Sequence, residues 1–217
     1  MTEGKRVYRS ALRAAQAERT RTAVVAAATR CFVERGYART TMRDIAQAAD
    51  VAVQTVFAQG SKASLLLAAV DRGVAGDDAQ APVLQRELFQ RLFAATSLDA
   101  KLAAYREIAR VYVPQTGPIM KAFAAAAAVD EEIATAYAEY AGRRFSDSRS
   151  LLGAFEPWLR PDLDLDQATE IFWAVFSHET AEALVTERGW TVERYADWQV
   201  DALQRLLLSG DGRAAAR

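Results

Sequence analysis

The sequence predicts an all-α protein: an N-terminal domain of three helices followed by a larger C-terminal helical domain. Three observations predict the fold class. The 217 residues include only 11 Gly and 5 Pro, with no Pro before Pro82, so long stretches lack helix breakers. Apolar residues recur at three- and four-residue spacing between good cap residues. No run alternates Val, Ile or Thr with polar residues between Asn-Gly turns, as hairpins do. Composition sets further bounds. At 51% apolar and 25% charged the chain lies in the ordinary globular range, which excludes disorder as the dominant state. The single Cys, Cys31, excludes a disulfide framework and fits a reducing compartment. No stretch approaches the ~18–20 apolar residues of a membrane span. Met1 to Ala11 is charged and lacks the apolar segment of a signal peptide, so a cytoplasmic location is expected.

The elements follow in order. Residues 1–13, with Lys5, Arg6, Arg9 and Arg13, read as a flexible basic arm. A helix is expected from about Ala14 to Arg35, its stripe formed by Val24, Ala28, Cys31 and Phe32 and its end marked by Gly36. Cys31 lies on that stripe and reads as a small core residue, not a nucleophile. Thr41 and Asp44 form a T-x-x-D capping box that opens a short helix ending near Ala49-Asp50. A second short helix fits Val53 to Gln59, and Ser61 caps a third running to about Val74. Gly76-Asp77-Asp78 and Pro82 close this region, giving domains at 14–75 and 76–210. In the second domain, helices are expected near 84–95, from Asp99 to a stop at Pro114, and over 119–128. Further helices run from Asp130 to Phe155, from Asp164 or Asp166 to Glu187, and from Thr191 to Leu208. Residues 211–217 read as a flexible tail.

Charge separates the two parts. Residues 1–75 carry 12 basic and 6 acidic residues, and residues 76–217 carry 15 and 22. A basic N-terminal third suits a polyanion, because neutralising phosphates releases condensed counterions. The same balance also fits an ordinary solvated surface.

Residues 41–57 carry the most information. Two short helices with apolar contacts at Ile45, Ala46, Ala49, Val51 and Val56 meet at a tight turn. Asp50 sits where a left-handed conformation is expected, which Asp tolerates. The pattern is a helix-turn-helix, whose second helix enters the major groove while the first crosses the DNA backbone. The second helix would expose Ala52, Val53, Gln54, Thr55 and Phe57. A Gln can bond an adenine edge in bidentate fashion, and Thr can meet phosphate, base or a thymine methyl. Thr41 can donate to phosphate from a helix N-terminus. A plain helical hairpin is the competing reading.

Arg30 to Leu66 resembles the DNA-binding domain of TetR-family transcriptional regulators. The matching pattern is Ala28, Phe32, Gly36-Tyr37, Thr40 to Ala46, Ala49-Asp50-Val51, Gln54 to Phe57, Gly60-Ser61-Lys62 and Leu65-Leu66. Ala75 to Asp78 and Arg188-Gly189-Trp190 resemble actinobacterial members. The resemblance implies a homodimer that binds a pseudo-palindromic double-stranded DNA operator, with the 61–74 helix linking head to ligand domain. It places Gln54 and Thr55 toward bases, Phe57 and Lys62 on the DNA backbone, and Thr41 and Arg43 at its backbone-contacting start. Three features depart from the pattern. Asp50 stands where Gly is usual, Ala52 where a Ser or Thr cap is usual, and Phe57-Ala58-Gln59-Gly60 is one residue short of the usual aromatic stretch.

The resemblance implies that the second domain binds a small-molecule effector and pairs with its twin through its last two helices. Leu102, Tyr105, Ala109 and Tyr112 share a helical face, and Phe123, Phe172, Trp173 and Phe176 could add aromatic walls suited to a lipophilic ligand. Each of these also reads as ordinary core. His178, the only His, could orient a ligand, though a core or interface position suits it as well. Phe172, Val175, Leu184, Trp198, Leu203 and Leu206 are the dimer-interface candidates. No catalytic residue, metal site or cofactor is expected: the chain has no P-loop, no G-x-G-x-x-G and no Cys/His cluster. The reading is a ligand-responsive repressor, and the alternative is a helical ligand-binding or scaffold protein that has lost DNA binding.

Overall fold

A computed structural model describes residues 3–75 and 82–209. The elements are α1 (Glu3–Arg35), α2 (Met42–Ala49), α3 (Val53–Phe57), α4 (Lys62–Ala75), α5 (Glu87–Ala94), α6 (Leu98–Ala127), α7 (Glu131–Gly153), α8 (Leu165–Val175), α9 (His178–Ala181) and α10 (Val192–Leu207). Short 3-10 turns lie at Val83–Gln85 and Glu156–Trp158, and α9 runs into a π-helical stretch, Glu182–Glu187. Among the described residues there is no strand, only an isolated bridge between Leu159 and Leu208. The Gly76-Asp77-Asp78 boundary and the 211–217 tail lie outside the described residues.

The caps work as the sequence indicates. The Thr41 hydroxyl accepts from the Asp44 amide at 3.2 Å, and the Asp44 carboxylate accepts from the Thr41 amide at 2.8 Å. Asp50 adopts φ 53° and ψ 48°, so the chain turns sharply between α2 and α3. Ser61, Asp130, Asp164 and Thr191 each accept from the amide three residues on. Ala52 caps α3 with no side-chain bond, as its methyl group requires.

Three expectations are corrected. Helix α1 starts at Glu3 and runs unbroken through residues assigned to the basic arm, since Lys, Arg, Ala and Leu favour helix. Helix α6 does not stop at Pro114 but continues through Pro114 and Pro118 to Ala127. Each Pro removes one intrahelical N–H, yet Thr116, Ile119, Met120, Ala122 and Phe123 are all buried, so packing holds the segment helical. The helix expected to run to Glu187 ends at Val175 instead. Ser177 opens α9 by accepting from the Thr180 amide, a cap inside what periodicity reads as one stripe.

The helices enclose two cores, and the first does not belong to the N-terminal segment alone. Val24, Phe32, Ile45, Val56, Leu65, Leu66 and Ala69 pack with Ile119, Met120, Phe123, Ala126 and Ile133 from α6 and α7. Cys31 is buried in this cluster, as expected. The second core joins Phe89, Leu92, Tyr105, Leu152, Phe155, Phe172, Leu203 and Leu207. The same α6 supplies its N-terminal half to one core and its C-terminal half to the other.

The turn makes one stability prediction. A left-handed residue other than Gly carries a steric cost, so Asp50→Gly should raise unfolding free energy by roughly 0.5–1 kcal/mol. Urea unfolding of the two proteins checks this, and an unchanged or lower midpoint contradicts it.

Candidate DNA-binding face and ligand cavity

The head presents α3 to solvent. Gln54 is exposed and Phe57 is 60% exposed, while Val56 is fully buried and anchors the helix. Val53 packs partly on the head core, and Thr55 is half-buried. Arg43 on α2 is exposed and unpaired among the described residues. The other arginines nearby are tied down. Arg30 donates to the Ala48 carbonyl at the end of α2, and Arg35 pairs with Asp44 at 3.0 Å.

Two predicted backbone contacts have structural duties. The Thr41 hydroxyl lies 2.6 Å from Asp44 Oδ2, to which its proton is committed, so a phosphate must compete with the capping box. Lys62 Nζ donates to the carbonyls of Tyr37 at 3.1 Å and Thr40 at 3.3 Å, and sits 4.1 Å over the Tyr37 ring. An ammonium has three donors, so one remains for a phosphate. Lys62 thus fastens the start of α4 to the loop before α2. Gly60 permits the turn into α4: its φ of 134° suits Gly, and a Cβ there would stand 2.2 Å from Ser64 Oγ. Tyr37 in turn donates to Asp130 at 2.7 Å, joining the head to the cap of α7.

Behind the head lies a cavity of about 1090 Å³ bounded by α4, α5, α6, α7, α8 and α10. Tyr105, Tyr112, Phe176 and His178 line it, as does Ala109. Three other expectations fail. Phe123 lies in the first core, edge-on to Tyr137 and Tyr140. Trp173 does not line the cavity but lies under the Arg144 guanidinium at 4.9 Å and edge-on to Phe145. Leu102 fills the second core. Helical spacing identifies a shared face but not which neighbour that face meets.

The dimer candidates divide similarly. Phe172 lines the cavity and Leu203 is fully buried, so both serve this chain's own interior. Trp198 and Val175 pack partly against the second core, Leu184 is half-buried, and Leu206 is 39% exposed. Amphipathic pattern could not separate these, because an internal core and an interface have the same apolar signature.

Polar groups complete the lining, and apart from His178 the apolar pattern of the sequence does not reveal them. Tyr140 on α7 meets His178 Nε2 through its hydroxyl at 2.9 Å. Arg144 donates to the carbonyls of Trp173 and Phe176, which the break after α8 leaves without helical partners. Arg86 donates to the carbonyl of Val74 at 3.1 Å and to the Tyr112 hydroxyl at 3.2 Å. Burial, assisted by nearby Arg144, depresses the His178 pKa to about 4, so the ring is neutral near pH 7. Burial pushes Tyr140 and Tyr195 up to about 12, and both stay protonated donors. Burial also raises the Asp147 carboxyl, opposed by Arg143.

The depressed His178 gives a signed pH dependence. Between pH 6.5 and 4 the unfolded chain takes up a proton at His178 that the folded chain refuses, so folding stability falls as pH drops through that window. A shift of this size corresponds to roughly 3 kcal/mol once fully expressed. His178→Gln should flatten the stability difference between pH 7 and pH 4.5 relative to the parent. Equal slopes for the two proteins contradict the buried, neutral ring.

Comparison with known proteins agrees with this architecture. Residues 24–69, about a fifth of the chain, match the sequence model of the bacterial regulatory proteins of the tetR family. None of the curated proteins compared with the chain matches it. The fold is similar to NalD of Pseudomonas aeruginosa, the secondary repressor of the MexAB-OprM multidrug efflux pump, at 20% identity and TM-score 0.64, over 90% of this chain and 99% of that one. It is similar to a transcriptional regulator of Saccharomonospora viridis solved with choline, at 16% identity and TM-score 0.68, over 88% of this chain and 99% of that one. SmeT in complex with triclosan gives 18% identity and TM-score 0.66, over 88% of this chain and 92% of that one. The chain therefore carries the N-terminal domain of the tetR family of bacterial regulatory proteins, set in the all-helical fold of the regulators it resembles.

Proposed function

We propose that the protein is a ligand-responsive transcriptional repressor that binds a pseudo-palindromic operator as a homodimer and is released by a small lipophilic molecule. The observation that carries this reading is the position of α4. Its N-terminal half is packed into the head core through Ala63, Leu65, Leu66 and Ala69, while Val70, Asp71 and Val74 line the cavity. A molecule in the cavity therefore touches the helix that carries the DNA-reading head. Ligand acts by favouring one head geometry over another, which requires different affinity for the two. In the dimer, two α3 helices about 34–36 Å apart would face successive major grooves.

On the head, Gln54 and Phe57 are the outward side chains of α3, with Val53 and Thr55 flanking them. Gln54 suits an adenine edge. Arg43 and the remaining N–H of Lys62 supply phosphate contacts. The molecules in complex with similar proteins, choline and triclosan, differ widely, so the cavity's own lining must define the effector of this chain. The exposed Leu206 on α10 supports pairing through the last helix.

A salt titration tests the reading. The protein is bound to its own upstream DNA and to an unrelated duplex of equal length. A preference of roughly 10³-fold or more with a steep salt slope is expected. Gln54→Ala should cost about 1–3 kcal/mol on the preferred site and far less on the unrelated duplex. Absence of binding to either duplex at low salt would favour a ligand-binding protein without DNA function, with uncapped Ala52 and the short α3 as its cause.

A further inference from the structure

We propose that the cavity takes an amphipathic anion, its carboxylate or equivalent acidic head held by Arg86 and its apolar body held by the aromatic wall. The proposal rests on the ligand-binding reading above and names the chemistry of the ligand. Arg86 is half-buried in the lining, and its only hydrogen bonds with described residues go to two neutral oxygens, the Val74 carbonyl and the Tyr112 hydroxyl. Both are made by Nη1. Nε is buried without a partner, and Nη2 makes no hydrogen bond with any described residue. No carboxylate of the described residues lies within ion-pair distance of it. A half-buried cation whose described partners are all neutral is an arrangement that an anion improves. Guanidinium is also the side chain whose fork matches a carboxylate.

The rest of the lining agrees. Arg144, also half-buried, likewise bonds only carbonyls. The lining acids Asp71 and Glu139 are exposed, so water screens them. Asp147 is the half-buried one, and it faces Arg143. Beside Arg86 stands Tyr112, with Phe89 edge-on to it, and Tyr105, Phe172 and Phe176 form a second aromatic group in the lining. Among the described residues this pairs a cation that has no acidic partner with an apolar surface, the complement of an acid with a hydrocarbon or aryl body.

Arg86 also connects the ligand to the head. Val74 is in the last turn of α4, where a cation favourably meets the helix C-terminus. An anion that draws the guanidinium toward the cavity competes with the Val74 bond and loosens the end of the linking helix.

The test uses the full-length protein and a matched set of ligands: decanoate, decanamide and decyltrimethylammonium, titrated by calorimetry with tryptophan fluorescence as a second readout. Decanoate should bind the parent at least about tenfold more tightly than decanamide. Arg86→Gln should abolish that preference by weakening decanoate far more than decanamide, and Arg86→Lys, which keeps the charge but loses the fork, should retain part of it. Melting curves establish that the variants fold. Tighter binding of the amide or the ammonium, a preference that survives in Arg86→Gln, or no binding of decanoate would each overturn the proposal. DNA binding of the unliganded protein is measured in parallel. Specific DNA binding without carboxylate preference sinks only the ligand class. Arg86-dependent carboxylate binding without DNA binding upholds the ligand class and sinks the regulator.

Discussion

The structure depends on a shared core. The head formed by α1 to α4 does not close on itself: Ile119, Met120, Phe123 and Ala126 of α6 and Ile133 of α7 complete it. Burying such side chains contributes about 1.5–3 kcal/mol each, so the head draws much of its stability from helices that also wall the cavity. Any change of cavity shape that moves α6 must move the floor of the head. Lys62, clamped over Tyr37, and Tyr37, bonded to Asp130, tie the same parts together by polar contacts.

This arrangement explains why α6 crosses two prolines without ending. Local sequence rules favour a stop at Pro114. The helix continues because its C-terminal half is the wedge between α1, α4 and α7, and the burial of Ile119, Met120 and Phe123 outweighs the lost backbone bonds. The break after Val175 has the opposite origin. Ser177 starts a new turn, and Arg144 satisfies the carbonyls left open, which brings His178 round to Tyr140 at the cavity.

Much of the head was legible in the sequence because its signals are local. The Thr41–Asp44 box, the left-handed Asp50, the uncapped Ala52 and the Ser61 cap each depend on residues within a few positions. Tyr105, Tyr112, Phe176 and His178 were also reachable, since aromatic side chains on a shared face have few other places to go. Tertiary choices were not legible. Phe123 and Phe172 both read as buried aromatics, yet Phe123 sits in the first core away from the cavity while Phe172, in the second core, also lines it. Arg86 and Arg144 look like surface residues until the fold shows which carbonyls they meet.

Native-state hydrogen exchange is the most direct test of the shared core. The account predicts that the amides of Phe32 and Leu66 in the head and of Phe123 in α6 open together, with one common free energy near that of global unfolding. Head amides that exchange through a separate opening, at markedly lower free energy than Phe123, would contradict it and leave the cavity without a rigid connection to α3.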